Sequence, residues 1–341
     1  MKNILLTGGV GYIGSHICAK LFDFGFNPII VDTFETSSPL IYYNINVAAN
    51  QIIEPKIYVG DVSNEALLQT IFTNEDIHAV IHLSGYKFVG ESVKNPLKYY
   101  DNNLTTTISL LNVMKRFNCY NLIFSSSCTV YGNATDIPVT ENTPFAPESP
   151  YGKTKAMQEE IFSDLCKSDS KWNITSLRYF NPIGSHPSGL LGDFSKKIPN
   201  TLMAYLVDTI TGRINDKLTI FGNDYDTKDG TCVRDFIHIE DLAEAHIKAL
   251  LKFGGHKVYN IGTGVGVSVL ELVKTFEEAT GKKVDYDFAD RRSGDVEAIY
   301  CDPSLAMKEL EWKPTHTLED ACKTALKFGQ YVYDNRYILS S

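Results

Sequence analysis

No apolar run in the 341-residue sequence approaches the ~20 residues that a membrane-spanning helix needs, so a membrane span is not expected. Nor is there a surplus of positive charge, since 32 Lys and Arg face 41 Asp and Glu for a net charge of −9. That balance argues against nucleic acid or an anionic membrane as the main partner, because both need a basic footprint. It leaves room for a small anionic ligand, which needs only a few placed cations. Paired C-x-x-C cysteines are missing too: Cys18, Cys119, Cys128, Cys166, Cys232, Cys301 and Cys322 are scattered and odd in number. This predicts reduced thiols in a cytoplasmic protein, with neither a disulfide framework nor a metal site. Internal repeats and low-complexity segments are absent. The chain opens on a strand pattern, Ile4-Leu5-Leu6-Thr7, so no secretory leader is expected, and Leu339-Ser340-Ser341 carry no legible targeting signal. The rest is ordinary globular composition, 43% hydrophobic and 21% charged, in a chain long enough for two domains.

Short apolar runs at 4–7, 28–32, 56–59, 78–83, 120–126 and 174–180 alternate with helix-like stretches such as 15–25, 64–73, 96–117 and 152–168. This alternation predicts an α/β fold, a doubly wound parallel sheet of the Rossmann type with helices on both faces. After Tyr179 the texture changes to Asn, Pro, Gly and Asp, with one helical stretch at 199–213. A strand-then-helix pattern returns at 234–251 and one more strand at 258–262, and the final third mixes two helical stretches with a short strand near 283–288. The expected division is a cofactor domain over 1–180, with 234–262 returning to it. A smaller α/β substrate domain would come from 181–233 and 263–341.

Residues 8–14, Gly8-Gly9-Val10-Gly11-Tyr12-Ile13-Gly14, follow the first strand and precede a helix. Glycines there permit a tight turn and let backbone N–H groups and a helix N-terminus approach a pyrophosphate. Asp32 ends the second strand, where a carboxylate binds adenosine ribose hydroxyls and disfavours a 2′-phosphate. The expected cofactor is therefore NAD. Asp61-Val62 after the third strand either meets the adenine or leads into the helix beginning near Asn64-Glu65.

Tyr151 and Lys155 are four residues apart, so on a helix they share a face. A nearby ammonium and a positive nicotinamide ring favour the phenolate, which can take a proton from a secondary alcohol as hydride leaves the same carbon. Ser125-Ser126-Ser127 end a preceding strand, where ligands sit in parallel sheets. Ser127 is the candidate to share or relay that proton; local backbone bonding is expected for Ser125 and Ser126.

Together the glycine turn, the serine and Y-x-x-x-K resemble the extended short-chain dehydrogenase/reductase superfamily. Further segments resemble its UDP-galactose 4-epimerase family over about residues 3–330. They include Val89-Gly90-Glu91-Ser92-Val93, Tyr99-Tyr100-Asp101-Asn102-Asn103, Arg178-Tyr179-Phe180-Asn181-Pro182, Val233-Arg234-Asp235 and Arg291-Arg292-Ser293-Gly294-Asp295. The resemblance implies NAD gripped by Gly8, Gly11, Tyr12, Ile13, Gly14, Asp32, Asp61, Val62, Leu83, Ser84, Gly85, Lys87, Asn102, Tyr151, Lys155 and Tyr179. It implies a nucleotide sugar bound by Ser127, Tyr151, Asn181, Asn200, Leu202, Phe221, Arg234, Arg292 and Asp295, with the two arginines clamping a diphosphate. Ser127, Tyr151 and Lys155 are the implied catalytic residues. The implied activity is the interconversion of UDP-galactose and UDP-glucose in galactose metabolism, by reversible hydride transfer from sugar C4 to tightly bound NAD. The implied assembly is a homodimer through the helices near 96–117 and 152–168. His238 and Asp241 are expected to be structural, with Asp241 capping a helix.

Several positions depart from the family pattern. Thr33-Phe34-Glu35-Thr36-Ser37 follows Asp32 in place of the usual Asn-rich segment, Thr201 replaces an asparagine, and Phe236 a tyrosine. Ile299 is intermediate at a position whose bulk governs access of N-acetylated sugars, so activity also or mainly on UDP-N-acetylhexosamines is the first alternative. A sugar-nucleotide 4,6-dehydratase needs an acidic pair after the strand serine, where this chain has Cys128. A non-catalytic NAD-sensing protein would be expected to lose the tyrosine, the lysine or the arginine clamp.

Overall fold

The computed structural model describes residues 1–52, 54–194, 199, 201–292 and 294–336. Six strands joined by five helical crossovers build the first half. Its strands are β1 (Asn3–Thr7), β2 (Asn27–Asp32), β3 (Lys56–Val59), β4 (Ile77–His82), β5 (Asn121–Ser127) and β6 (Asn173–Tyr179). Between them run α1 (Tyr12–Asp23), α2 (Pro39–Ala48), α3 (Glu65–Asn74), α4 (Val89–Lys94), α5 (Pro96–Arg116) and α6 (Pro150–Ser168). The second half comprises β7 (Asn181–Ile183), α7 (Leu202–Thr211), β8 (Leu218–Phe221), β9 (Val233–His238), α8 (Ile239–Leu250) and β10 (His256–Ile261). It continues with β11 (Gly266–Ser268), α9 (Val269–Thr280), β12 (Tyr286–Ala289), β13 (Ala298–Ile299), α10 (Ser304–Leu310) and α11 (Leu318–Asp334).

The main sheet is parallel throughout, in the order β10-β6-β5-β4-β1-β2-β3. Its strands are nearly continuous apolar runs because both faces are covered. Alternate residues serve opposite faces: Ile4, Leu6, Ile30 and Ile81 pack with Ile17 of α1 and Leu242 of α8. Leu5, Ile29, Val31 and Val80 pack with Leu110 and Met114 of α5 and Phe162 of α6. The chain leaves β1 toward β2 and β3, then crosses to β4 and continues outward through β5 and β6. The reversal point thus lies at the carboxyl ends of β1 and β4, where such sheets hold ligands.

A second sheet centres on β9, which pairs with β7 and β13 in parallel and with β11 antiparallel. Helices α7, α9 and α11 cover it through Leu206, Leu272, Phe276 and Ala321. Sequence reading placed residues 234–238 in the cofactor half. In the structure β9 belongs to this second sheet, and only α8 and β10 return to the first. A strand-then-helix pattern states what an element is, and cannot state which sheet it joins.

A buried ion pair ties β6 to α6. Arg178 Nη2 donates to Glu159 Oε2 at 2.7 Å, and both side chains are almost fully enclosed. Arg178 Nη1 also donates to the Tyr131 hydroxyl at 2.8 Å, and Ser126 donates to Glu159. The pair is thus embedded in further hydrogen bonds, the condition under which enclosed charges hold.

Candidate active site

Gly8 has a φ of +70°, outside the range favoured by L side chains, and Gly11 is the N-cap of α1, with no side-chain cap bond. The first N–H groups of α1 are therefore left for a ligand. A Cβ on Gly14 would lie 2.3 Å from the Gly8 carbonyl oxygen, so only glycine lets the helix meet the turn this closely. Helix α1 begins at Tyr12, three residues earlier than the sequence pattern suggested. Tyr12 donates to the Gly184 carbonyl at 2.7 Å, and Ile13 packs on the core.

Asp32 points back at this turn. Its Oδ2 accepts from Val10 N at 3.0 Å and its Oδ1 from Phe34 N at 2.8 Å. Burial raises its pKa against these bonds, which hold the charged form. A carboxylate has about four acceptor positions; Val10, Phe34 and Ser37 take three, so room remains for a ribose hydroxyl. The cradle, the uncapped helix end and Asp32 together fit a dinucleotide without a 2′-phosphate. The atypical segment after Asp32 is also explained: Ser37 donates to Asp32 at 3.4 Å, and Glu35 accepts from the Tyr86 hydroxyl at 3.3 Å across the turn.

The other expected cofactor residues lie at neighbouring strand ends. Asp61 and Val62 follow β3; Asp61 Oδ1 accepts from Ser63 N at 2.7 Å, while Asn64 caps α3. Asp61 and Asn102 also line one polar cavity of about 230 Å³ with Ser63, Tyr86, Lys98, Asp101 and Thr105. Leu83, Ser84, Gly85 and Lys87 follow β4, and Lys87 is exposed. Tyr179 ends β6, with its hydroxyl bonded to His246.

Sequence reasoning missed Asn103, the neighbour of Asn102. Its Oδ1 accepts from Tyr86 N at 2.8 Å, and its Nδ2 donates to Thr154 Oγ1 at 3.0 Å, tying the loop after β4 to α6. The buried positions of α5 (Tyr99, Asn103, Thr106, Leu110, Met114) follow helical spacing, and that spacing was the available signal.

Helix α6 starts sharply, with Pro150 in its first turn and Ser149 Oγ accepting from Gly152 N at 3.1 Å. A Cβ on Gly152 would lie 2.8 Å from the Thr129 carbonyl, so glycine brings Tyr151 against the turn after Ser127. Ser127 Oγ accepts from Thr129 N at 3.2 Å. Lys155 Nζ donates to the Ser125 carbonyl at 2.6 Å and sits 5.9 Å from the Tyr151 ring centre. Ser126 is turned away, onto Glu159, so local backbone bonding does not describe it.

Burial pushes the Tyr151 hydroxyl up to about 12, with its hydrogen bond to Ser127 pulling the other way. Burial likewise takes Lys155 down to about 7 against the attraction of Glu159. The sequence expectation was that the ammonium would dominate Tyr151. Here desolvation dominates both groups, because a dry pocket penalises either charge alone.

Of the expected sugar-nucleotide residues, Arg234, Arg292 and Asp295 come together. Asp295 Oδ1 accepts from Arg292 Nη2 at 2.9 Å and lies 3.9 Å from Arg234 Nη2. The Arg292 guanidinium is 5.5 Å from the centre of the Phe221 ring. Asn181 opens β7 and Leu202 opens α7; Asn200 lies outside the described residues. Thr201 donates to Asp193 at 2.5 Å. Cys128 feels Arg234 and Asp235, and burial raises its thiol to about 12. Cys128 therefore joins the Tyr151 side of the site to the arginine side. Ile299 is buried with Val130, Tyr131 and Phe180, in register with Arg234. Asp241 does not cap a helix: His238 caps α8 by accepting from Glu240 N at 3.1 Å. Asp241, in the first turn of α8, accepts from Thr315 Oγ1 and His316 N at 3.0 Å each.

A family model described as GDP-mannose 4,6 dehydratase matches residues 5–325. The chain is 48% identical to a UDP-glucose 4-epimerase of Dictyostelium discoideum over 95% of each chain. It is 46% identical to a UDP-glucose 4-epimerase of Bacillus subtilis over 94% of each. Among solved structures it resembles the UDP-glucose 4-epimerase of Bifidobacterium longum in complex with NAD+ and UDP. That match has a TM-score of 0.93 and 43% identity, covering 97% of this chain and 98% of the other.

Proposed function

Because the chain belongs to the UDP-glucose 4-epimerase family of extended short-chain dehydrogenases/reductases, we propose that its site inverts C4 of a UDP-bound hexose. The protein is an NAD-dependent isomerase that interconverts UDP-galactose and UDP-glucose. The observation that carries this reading is Tyr151 and Lys155 on one helix, Lys155 Nζ 5.9 Å from the Tyr151 ring centre, with Lys155 gripping Ser125 on the strand that ends at Ser127. Bound on the glycine cradle, NAD supplies a reversible acceptor for the hydrogen of C4, so oxidation and re-reduction leave no net redox change. Tyr151 takes and returns the proton of the 4-hydroxyl, Ser127 shares that hydrogen bond, and Lys155 favours the phenolate.

The nucleotide is held elsewhere. A diphosphate brings two negative groups to Arg234 and Arg292 and competes with Asp295 for them; the released carboxylate can then accept from the uridine ribose. Anchoring the nucleotide firmly leaves the sugar free to present its other face. Dehydration is disfavoured because a neutral, half-buried Cys128 stands where an acid would be required. The cofactor half comprises 1–180 with α8 and β10, and the sugar-nucleotide half the remainder. Free thiols at all seven cysteines suit the cytoplasm, and exposed Leu97, Ile108 and Met157 suit a homodimer.

The test is conversion of UDP-galactose to UDP-glucose by the purified protein, with and without added NAD. Conversion is expected, and none under either condition would refute the reading. UDP-N-acetylgalactosamine, run alongside, is expected to turn over more slowly. The stiff Ile299 side chain is committed to packing and does not yield space.

A further inference from the structure

Thr7 and His82 are the last residues of β1 and β4, paired in register at the point where the sheet reverses, and both are fully buried. Their hydrogen bonds leave no freedom in where the protons go. Thr7 Oγ1 accepts from Ser84 N at 3.2 Å and from Leu83 N at 3.1 Å, the latter N–H shared with the Thr7 carbonyl at 3.2 Å, so both its lone pairs face backbone donors. Its own proton must therefore go to His82 Nδ1, 2.7 Å away. That makes Nδ1 an acceptor and puts the ring proton on Nε2, facing Thr107 Oγ1 of α5 at 2.9 Å. Thr107 in turn donates to the Asn103 carbonyl at 3.1 Å and accepts from Gln158 Nε2 at 2.6 Å. Gln158 sits on α6, one turn beyond Thr154 and Lys155, and donates also to the Asn103 carbonyl at 3.0 Å.

A chain of hydrogen bonds thus connects the residue before Gly8, through His82 and Thr107, with the helix that carries Tyr151 and Lys155, His82 and Gln158 both donating into Thr107. We propose that His82 is a positioning residue, which with Thr107 fixes the placement of the catalytic helix relative to the glycine turn. A protonated His82 would aim an N–H at a Thr7 oxygen with no lone pair left, so the chain holds only with neutral imidazole. Burial and the charge of Lys155 act the same way, taking His82 down to about 3. The reach of the chain matters because reacting atoms must be held within ~3–3.5 Å, and errors near 1 Å cost about 100-fold. The proposal rests on the epimerase reading for its kinetic arm and not for its spectroscopic arm.

The kinetic arm compares His82→Phe, Thr107→Val and the double variant, with turnover normalised to bound NAD. Each single change is expected to lower kcat by about tenfold or more, with KM for UDP-galactose within about twofold, because the arginine clamp is untouched. The double variant is expected to be no slower than the worse single one, because both break one chain. His82→Gln, which keeps a donor toward Thr107, is expected to recover part of the loss. Unchanged kcat per bound NAD, or multiplicative losses in the double variant, would overturn the proposal. Should His82→Phe fail to fold, Thr107→Val carries the comparison. The spectroscopic arm needs no turnover. Side-chain nitrogen NMR, assigned with His82→Gln, is expected to show an Nε2–H imidazole that does not titrate from pH 8 down to about pH 5. An Nδ1–H tautomer, or titration at an ordinary histidine pH, would overturn it. Loss of conversion in the wild-type protein would count against the epimerase reading alone.

Discussion

Tyr151 and Lys155 share a proton problem. Removing one proton from the fully protonated pair gives either neutral amine beside phenol or ammonium beside phenolate, and the two have the same proton count. Their titration therefore belongs to the pair. Only the second form is a base toward the sugar hydroxyl. Burial, offset in part by Glu159 and Ser127, sets Lys155 near 7 and Tyr151 near 12, so the first proton leaves near neutrality. Above that point the reactive form becomes available, and below it both groups hold their protons. Turnover is thus expected to rise with pH through an apparent pKa near that of Lys155. In Lys155→Met the phenol titrates alone, so the rise moves toward the Tyr151 value and activity at neutral pH falls by about 100-fold or more. Tyr151→Phe is expected to lose ~10²–10⁴ in kcat with NAD still bound. A flat pH–rate profile, or a profile unmoved in Lys155→Met, would refute the shared proton. These residues were legible because their spacing is a local pattern. His82 and Thr107 were not, since a hydrogen bond between residues 25 apart leaves no trace in a single sequence.

At the scale of elements, the strand–turn–helix that opens the chain makes the cofactor site, and its geometry hangs on one contact. An alanine at Gly14 places a carbon 2.3 Å from the Gly8 carbonyl oxygen, with backbone on both sides and no flexible side chain to yield. The helix N-terminus must then withdraw from the turn, and the N–H groups no longer converge on a pyrophosphate. Gly14→Ala is expected to purify without NAD, read from the absorbance of the extracted nucleotide, and to melt lower than the parent. Gly90 offers the control: it also sits in a helix, yet a Cβ there meets nothing within 4 Å. Gly90→Ala should keep its NAD and its melting temperature, or gain up to about 1 kcal/mol. Equal NAD content in both variants would show that the close approach is dispensable. The six strands of the first half match their apolar runs to within a residue, because a buried parallel strand is an apolar run. Strands β7, β11 and β13 passed unseen: two or three residues are too few to show any period.

At the scale of the whole molecule, the expected ligand groups among the described residues sit on strand ends, loops and helices of both halves of a single chain. Association is therefore expected to serve stability. The outer face of α5 carries Leu97, 80% exposed, and Ile108, 47% exposed. They lie eleven residues apart, about three helical turns, so they share a face. Met157 of the adjoining α6 is 40% exposed. Two such helix pairs brought together would bury these side chains and form a four-helix packing, and a stable interface needs about 1,000 Å² or more. Light scattering is expected to give twice the 38.1 kDa of the chain. Leu97→Glu combined with Ile108→Glu would place four unpaired carboxylates at the interface and is expected to give a monomer that keeps its NAD and its kcat. A lower melting temperature for that monomer would express the area it exposes. A monomeric parent protein would remove the dimer, and a dimer undisturbed by both charges would move the interface off α5.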